Sequence, residues 1–204
     1  VGSSKLADEY IDKTRSFYLA RGHMSPDGDF DYESEQNATY YFVNVVPQWQ
    51  SINNGNWKAL EIATRKLAAK RNTDFEIFSG GYDVLKLKDK NEKFVQIYLS
   101  YDDDRLIYLS YDDDRLVLPV PRLTWKLVHD IKEKSAVVII IVNNPHDLGT
   151  TSEDIICKSI CDQITWVKWD IHNVAKGYTY CCDVDSFSKQ VKYAPKVHVS
   201  KLLT

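Results

Sequence analysis

The chain has 204 residues, of which 44% are hydrophobic and 12% aromatic, and its formal net charge is −3 at pH 7. This composition suits one globular domain of ordinary size over residues 1–204 and excludes a disordered chain. The acidic balance excludes general coating of a polyanion, so any nucleic-acid contact must come from a local cluster of Arg and Lys.

The first elements of the chain lead to a histidine that we expect to be exposed. Apolar residues at mixed helical spacing predict a short helix near the N-terminus, and residues 16–21 predict a strand that delivers His23 at its end. Residues 25–29, SPDGD, predict a turn. A histidine at such a position can act as a general base near neutral pH.

A second strand and a helix follow the turn. Residues 32–37 predict a polar loop, and the β-branched and aromatic run at 39–46 predicts a strand that Pro47 ends. The polar start signal at 51–56 predicts a helix over residues 57–70. Residues spaced by four form one stripe along this segment: Asn53, Trp57, Glu61 and Arg65.

The middle of the chain predicts strands and charged turns. Residues 75–79 and 82–87 predict two strands joined by a Gly80-Gly81 turn. The sequence IYLSYDDDRL then occurs twice without change over residues 97–116, and each copy predicts a strand and an acidic turn. Carboxylates suit a hard cation, but three consecutive side chains do not converge on one ion, so solvated turns are the favoured interpretation.

Two further strands and a helix are predicted before the C-terminus. Residues 124–131 predict one strand, and the apolar residues 136–142 predict a second, fully buried one. No apolar run has the length of a membrane helix, so we expect no membrane contact. Residues 152–164 have helical spacing, and residues 178–182 are predicted to be extended.

All cysteines lie in the last quarter of the chain, at Cys157, Cys161, Cys181 and Cys182. A structural zinc site is one interpretation, but adjacent cysteines suit tetrahedral coordination poorly, and two disulfides are favoured. An extended adjacent pair points its thiols to opposite sides, so each is expected to bond one cysteine of the first pair, with the pairing open. Disulfides indicate an oxidising compartment and hence secretion, and the sequon at Asn37 predicts glycosylation, which agrees with secretion.

The stripe of the predicted helix carries groups that suit phosphate chemistry. Asn53 offers a hard neutral oxygen to Mg²⁺, and Glu61, about two helical turns further on, can orient water bound to the ion. Arg65 can neutralise a phosphate group. Each residue also has a structural interpretation, with Asn53 or Asn54 as a helix N-cap and Glu61 with Arg65 as an ion pair.

Residues 20–65 resemble the catalytic region of the DNA/RNA non-specific endonucleases, a ββα-metal (His-Me finger) family. That family carries an Arg-Gly-His element, a strand ending in Asn-x-x-Pro-Gln, and a helix with Asn-x-Gly-x-Trp and Leu-Glu-x-x-x-Arg. These motifs occur here in that order, as Arg21-Gly22-His23, Asn44-Val45-Val46-Pro47-Gln48, Asn53-Asn54-Gly55-Asn56-Trp57, and Leu60-Glu61 with Arg65. Ala20 replaces the aspartate that precedes the first motif. ARGHMSPDGDF, VPQWQ and the adjacent cysteines are similar to a secreted arthropod branch with salivary and digestive members.

The resemblance implies an α+β fold. A ββα-metal catalytic unit would pack on a mostly antiparallel sheet, with a disulfide-linked C-terminal helical region. It implies a magnesium-dependent endonuclease that hydrolyses DNA or RNA, double-stranded RNA included, to 5′-phosphate products. Family members carry a segment upstream of the histidine. Since this chain begins at Val1 without a methionine, we expect it to be a processed product or a fragment.

The resemblance also implies a role for each site residue. His23 would deprotonate the water that attacks phosphorus, and Asn53 would be the protein ligand of one Mg²⁺, for which Mn²⁺ can substitute. Glu61 would hold the water ligands of the ion. Arg21 and Arg65 would bind phosphate and stabilise the charge that develops on it.

Further substrate contacts and an alternative function stay open. Asn44 is a candidate for a substrate contact, and Trp49 and Tyr40 are candidates for stacking on bases. A core position is favoured for Tyr40 and is as good an interpretation as stacking for Trp49. The alternative is a secreted nucleic-acid-binding protein with weak catalysis on the same fold, favoured by Ala20 and by the acidic net charge.

Overall fold

A computed structural model describes residues 3–102, 105–110, 116–146 and 152–204. Its α-helices are Ser3–Tyr10 (α1), Glu33–Ala38 (α2), Gln50–Ile52 (α3), Lys58–Arg71 (α4) and Val184–Gln190 (α5), and a π-helical turn, Asn53–Trp57, joins α3 to α4. Its strands are Leu19–His23 (β1), Val45–Trp49 (β2), Phe75–Val84 (β3), Lys86–Lys88 (β4), Phe94–Gln96 (β5), Tyr98–Asp102 (β6), Arg105–Ser110 (β7), Leu116–Pro119 (β8), Pro121–Asp130 (β9), Ser135–Val142 (β10), Thr179–Cys182 (β11) and Lys201–Leu202 (β12). Among these described residues, every helix is too short or too polar to cross a bilayer.

A mostly antiparallel sheet with the order β11-β10-β9-β3 forms the centre of the fold, and β12 pairs with β10 in parallel. The side chains of β10 alternate between two apolar clusters, one on each face of the sheet, because successive residues of a strand point to opposite faces. Val137, Ile139 and Ile141 belong to the first cluster, which also contains Trp57. Phe187 of α5 belongs to the second. The predicted mixed fold on an antiparallel sheet is confirmed.

The strands β1 and β2 form a separate two-stranded ribbon, in which His23 pairs with Val45. Asn143 fastens this ribbon to the end of the central sheet. Its side-chain amide donates to the carbonyls of Pro47 and Pro121 at 3.0 and 2.9 Å, and its side-chain oxygen accepts from the Trp49 backbone amide at 3.1 Å. The ribbon therefore sits at a fixed position above the first apolar cluster.

The prediction of a strand over residues 39–46 is wrong. The strand β2 starts only at Val45 and continues through Pro47 to Trp49, while Phe42–Asn44 forms a 3-10 turn. Pro47 is accommodated because β2 pairs only with β1 among the strands that the structure describes, and a proline is tolerated at such an edge. The predicted loop at 32–37 is likewise wrong, since most of it forms α2.

Gly80 and Gly81 do not form the predicted turn. They lie inside one continuous strand, β3, which pairs with β9 along its length. A Cβ atom at Gly80 would lie 2.7 Å from Cζ2 of Trp125. The glycine therefore gives room to a large neighbouring ring, which is a common reason for glycine within a strand.

The two disulfides are confirmed, and their pairing is Cys157–Cys182 and Cys161–Cys181. The prediction of a helix over residues 152–164 is wrong. The described segment is irregular, and its helical structure is limited to one 3-10 turn, Cys161–Gln163. Cys181 and Cys182 belong to the apolar clusters on opposite faces of the sheet. A helix would place Cys157 and Cys161 on one side, so the segment must be irregular to reach both faces.

The repeated decapeptide contributes to a three-stranded sheet with the order β7-β6-β8. The strand of the first copy is confirmed by β6, and the start of the second copy lies in β7. The predicted acidic turns comprise Asp102–Asp104 and Asp112–Asp114. Asp102 is the last residue of β6, and the other five residues lie outside the described residues.

His146 provides a test of the apolar packing beneath the ribbon. Its ring makes edge contacts with Tyr10, Phe17 and Trp49, its Nε2 atom is buried with no partner among the described residues, and burial lowers its pKa to about 4. The unfolded chain, with a histidine pKa of 6.5, binds the extra proton first. The free energy of unfolding should therefore fall by up to about 3 kcal/mol as the pH drops from the unfolded value to the folded one.

Urea unfolding of the parent chain and of His146→Phe at about pH 7 and about pH 4.5 measures this contribution. His146→Phe keeps an aromatic ring in the cluster but has no group to protonate. Its free energy of unfolding should therefore fall less between the two pH values than that of the parent. His198 is exposed and serves as the control. His198→Phe should show the same loss of stability at low pH as the parent. The same loss of stability in the parent and in His146→Phe would contradict the assignment.

Candidate active site

The π-helical turn before α4 fixes the start of the predicted stripe. Gly55 has a non-helical backbone there, and a Cβ atom would lie 2.6 Å from the Lys176 carbonyl oxygen. The buried amide of Asn56 donates to the carbonyls of Asp170 and Gly177 at 2.9 and 2.7 Å. Both residues hold the turn against the C-terminal part of the chain. The helical structure already begins at Gln50, so the prediction of Asn53 or Asn54 as the N-cap is wrong.

Trp57 joins the helix to the ribbon. Its indole nitrogen donates to the carbonyl oxygen of His23 at 3.1 Å, and the residue is fully buried. Asn53 lies four residues before Trp57, across the kinked π-helical turn, and Glu61 lies one α-helical turn after Trp57. The regular stripe predicted from Asn53 to Arg65 is therefore interrupted at Gly55. The end of β1 is therefore bonded to the residue that lies between Asn53 and Glu61 in the sequence.

Lys126 lies beneath this junction and is almost completely buried. Its ammonium donates to the Met24 carbonyl at 2.8 Å and to Ser79 Oγ at 2.9 Å, and it sits 4.7 Å from the centre of the Trp57 ring. Burial lowers the pKa of Lys126 to about 8, and the negative charge of Glu61 acts in the opposite direction. A buried cation is costly unless it is paired and hydrogen-bonded, so these contacts are what allow it.

Glu61 is the electrostatic partner of Lys126. Burial raises the pKa of the Glu61 carboxyl to about 7, while Lys126 and then Arg65 lower it. A carboxyl that titrates near neutral pH and faces a buried cation is a common property of functional sites. The alternative of a Glu61–Arg65 ion pair is not supported, because Arg65 Nη1 bonds Asp29 Oδ1 at 2.8 Å.

His23 is half-buried rather than exposed, which corrects the expectation. The Tyr40 ring contacts its imidazole edge to face with centres 4.5 Å apart. Burial lowers the pKa of His23, Asp27 raises it, and Arg21 lowers it, with a net decrease. The neutral imidazole, the form that can accept a proton, is therefore favoured near neutral pH. Nε2 is buried and has no hydrogen-bond partner among the described residues, as is common for a functional nitrogen.

Asn53 has the donor chemistry for Mg²⁺. Its amide nitrogen lies 3.4 Å from Gln50 Oε1, and no described residue donates a hydrogen bond to its Oδ1 atom. The described residues contain no cluster of three or more His, Cys, Asp or Glu side chains that could form a metal cage. Mg²⁺ does not require one, because it keeps several waters and takes one or two protein oxygens. The Oδ1 atom of Asn53 and the Glu61 carboxyl, eight residues further on, have the oxygen chemistry that fits that ion.

The remaining candidate residues fall into different environments. Arg21 is exposed, with its guanidinium 5.3 Å from the centre of the Phe42 ring. Trp49 is fully buried, so the prediction that it stacks on bases is wrong. The Asn44 side chain accepts a hydrogen bond from the Ser25 backbone amide and donates to the carbonyls of Ser25 and Thr39. We therefore assign Asn44 a structural role in this loop and not a contact with the substrate.

Sequence reasoning missed Lys126 and misplaced Tyr40. Tyr40 was expected in the core, but it is 44% exposed and donates to Asp27 Oδ2 at 3.1 Å. A signal for Lys126 was present, since this lysine lies within the strand predicted over residues 124–131. A buried charge in such a strand requires a partner. The partner, Glu61, lies on a distant helix and is not visible from the sequence pattern.

Comparison with known proteins gives a consistent result. Residues 2–187 match the family model described as DNA/RNA non-specific endonuclease. The chain is 36% identical to a salivary endonuclease of Lutzomyia longipalpis over 86% of its length, and 30% identical to the salivary protein Tsal2A of Glossina morsitans morsitans over 99%. It is 33% identical to the mitochondrial nuclease EXOG of Mus musculus over 50% of its length.

The chain spans less than half of the length of each of these relatives: 39%, 46% and 26%, in the same order.

The link between Glu61 and Lys126 gives a prediction that does not depend on activity. The carbon-13 shift of the Glu61 carboxyl, followed by NMR against pH, should change with a midpoint of about 7. Because the Lys126 cation favours the ionised carboxyl, Lys126→Met should move that midpoint upward by roughly one unit. Exposed Lys201 pairs with Glu133, and Lys201→Met should leave the midpoint unchanged. An unshifted midpoint in Lys126→Met would show that the two groups are not coupled.

Proposed function

The chain belongs to the DNA/RNA non-specific endonuclease family, and we propose that it carries the cleavage site of a secreted, metal-dependent endonuclease. One observation supports this most strongly. The His23 carbonyl is bonded to Trp57, which lies four residues after Asn53 and four residues before Glu61. A candidate base, a candidate magnesium ligand and a carboxylate thereby belong to two segments that this hydrogen bond joins.

His23 is the proposed general base. Its imidazole takes a proton from the water that attacks phosphorus, and its lowered pKa keeps a large neutral fraction at physiological pH. The contacts of Tyr40 on its ring and of Trp57 on its carbonyl hold the imidazole in place. Such orientation of the reacting groups contributes to the rate separately from the proton transfer itself.

Asn53 would hold the metal through Oδ1, and Glu61 would orient its water ligands. When bound, Mg²⁺ supplies Lewis-acid polarisation of the phosphate and stabilises the leaving oxygen. The Glu61 carboxylate accepts hydrogen bonds best when ionised, and the adjacent Lys126 cation favours that form. Products with 5′-phosphates are part of the proposal.

The arginines would bind the phosphate groups of the substrate. Arg21 is exposed beside the ribbon, whereas Arg65 bonds Asp29, so a phosphate would replace that carboxylate on Arg65. These contacts are to the backbone of the nucleic acid and carry no sequence information. DNA, single-stranded RNA and double-stranded RNA are therefore all proposed substrates.

Secretion is supported by two independent features. The chain has two disulfides, which persist in oxidising compartments. Two of its relatives carry salivary names. Asn37 is exposed on α2, as a glycosylation acceptor must be, and glycosylation there stays a prediction.

Removal of the proposed base tests the mechanism. His23→Ala should lower the rate of plasmid and RNA cleavage in Mg²⁺ by about 10²–10⁴-fold, the usual contribution of a general base, with an unchanged circular dichroism spectrum. His198→Ala, at an exposed histidine, is the control and should cleave normally. Normal cleavage by folded His23→Ala would overturn the mechanism. Binding without cleavage by the parent chain would instead support the weakly catalytic alternative.

The metal ligand has a matched control in the next residue. Cleavage should stop in EDTA and return with Mg²⁺, and Asn53→Ala should raise the Mg²⁺ concentration for half-maximal activity by at least about tenfold. Asn54 is adjacent and exposed, so Asn54→Ala should behave like the parent. The same Mg²⁺ dependence in Asn53→Ala and in the parent would exclude Asn53 as the ligand.

A further inference from the structure

Two aromatic side chains in succession are exposed next to the candidate site. Tyr41 is 68% exposed and Phe42 is 57% exposed, although large aromatic side chains are usually well buried. They lie in the segment between α2 and β2. Exposed aromatic patches of this kind commonly mark a binding surface. We call Tyr41 and Phe42, together with Arg21, the aromatic platform.

The platform rests on a fixed base. The Asn44 amide donates to the carbonyls of Ser25 and Thr39 at 2.8 and 2.9 Å, and the Asn44 carbonyl accepts from the Met24 amide at 2.9 Å. These bonds close the loop on which Tyr41 and Phe42 sit. A ligand therefore meets rings whose backbone is already ordered, which lowers the entropic cost of binding.

A cation accompanies the rings. The Arg21 guanidinium lies 5.3 Å from the centre of the Phe42 ring, and it forms no ion pair with the carboxylates of the described residues. Rings for stacking and an unpaired cation for phosphate are the combination by which proteins bind single-stranded nucleic acids. An apolar protein partner would leave Arg21 without a counter-charge, so a nucleotide is the occupant that fits.

Space for a base is available beside Phe42. Arg21 and Phe42 line a cavity of about 740 Å³, with Asp8, Tyr18 and Pro47 among its other walls. This volume is within the range of small-molecule sites, and its walls are mainly apolar. A flat nucleobase can enter such a cavity only when it is not paired within a duplex.

The platform is continuous with the candidate active site. Tyr40, directly before Tyr41, contacts the His23 ring at 4.5 Å between centres. Arg21 lies two residues before His23 on β1 and is close enough to lower its pKa. A base held by the platform would thus belong to a nucleotide next to the cleaved bond.

We propose that Tyr41, Phe42 and Arg21 form a binding site for an unpaired nucleobase and its phosphate, next to the bond that His23 attacks. This inference rests on the proposed nuclease function and extends it to the substrate. The enzyme engages single-stranded or locally opened nucleic acid through stacking, without recognising the identity of the base.

The test measures binding of the intact chain in EDTA, where cleavage is absent. The probes are a fluorescent single-stranded oligothymidylate and an abasic oligomer of the same length and charge. The parent should bind oligothymidylate at least about tenfold more tightly than the abasic oligomer, since stacking on one base contributes that much. The Tyr41→Leu/Phe42→Leu double variant keeps apolar side chains without rings. This variant should bind both probes with the low affinity that the parent has for the abasic oligomer.

Val43 supplies the control, because it is 96% exposed in the same segment and has no ring. Val43→Ala should keep the parent's preference for the probe with bases. Arg21→Met should weaken the binding of both probes equally, and it should reduce the slope of log affinity against log salt concentration by about one.

Equal affinity of the parent for the two probes would overturn the proposal and would favour a protein partner at this surface. The proposal would also be overturned if the double variant lost the same factor of affinity for both probes. A separate cleavage assay in Mg²⁺ distinguishes the two levels. If the parent cleaves nucleic acid but binds both probes equally, the platform is refuted and the nuclease function stands. If the parent prefers the probe with bases but does not cleave, the nuclease function is refuted and the platform stands.

Discussion

The buried ammonium of Lys126 is the constraint on which the candidate site depends. A cation in the interior must be surrounded by acceptors, and here these come from separate parts of the chain: the carbonyl that follows β1, a hydroxyl on β3 and the Trp57 ring before α4. Glu61 supplies the opposing charge. The same contacts that satisfy Lys126 therefore bring the ribbon, the sheet and the helix together at His23.

The π-helical turn completes this arrangement from the other side. Gly55 allows the chain to approach the Lys176 carbonyl, and Asn56 bonds the carbonyls of Asp170 and Gly177. The C-terminal segment that receives these bonds leads into β11, which both disulfides fix to residues before it. The crosslinks thus act on the site indirectly, by ordering the backbone against which the helix begins.

Much of the site could be predicted because its motifs are local. The order of Arg21, His23, Asn53, Glu61 and Arg65 is a property of the sequence, and the helix that carries the last of them is long and periodic. The failures come from long-range packing. Trp49 and Tyr40 have similar local surroundings, yet only Trp49 reaches the apolar cluster beneath the ribbon.

The other errors have the same origin. Helical spacing after residue 152 is overridden by two crosslinks that must reach opposite faces of a strand. Gly80 and Gly81 resemble a turn unless the Trp125 ring on the neighbouring strand is known. Pro47 resembles a strand end unless the strand is known to have one open side. For the crosslinked segment and the glycines the deciding partner lies far along the chain, and for Pro47 the position of β2 at the edge of its ribbon decides.

The central claim is that Asn53 holds the metal of a site built around His23. Crystals soaked in Mn²⁺ test it directly, because manganese gives an anomalous signal and has ligand preferences close to those of magnesium. The account predicts one anomalous peak about 2.2 Å from Asn53 Oδ1, on the His23 side of α4, with water between the ion and Glu61. Manganese bound only to surface carboxylates, with no peak at Asn53, would contradict it.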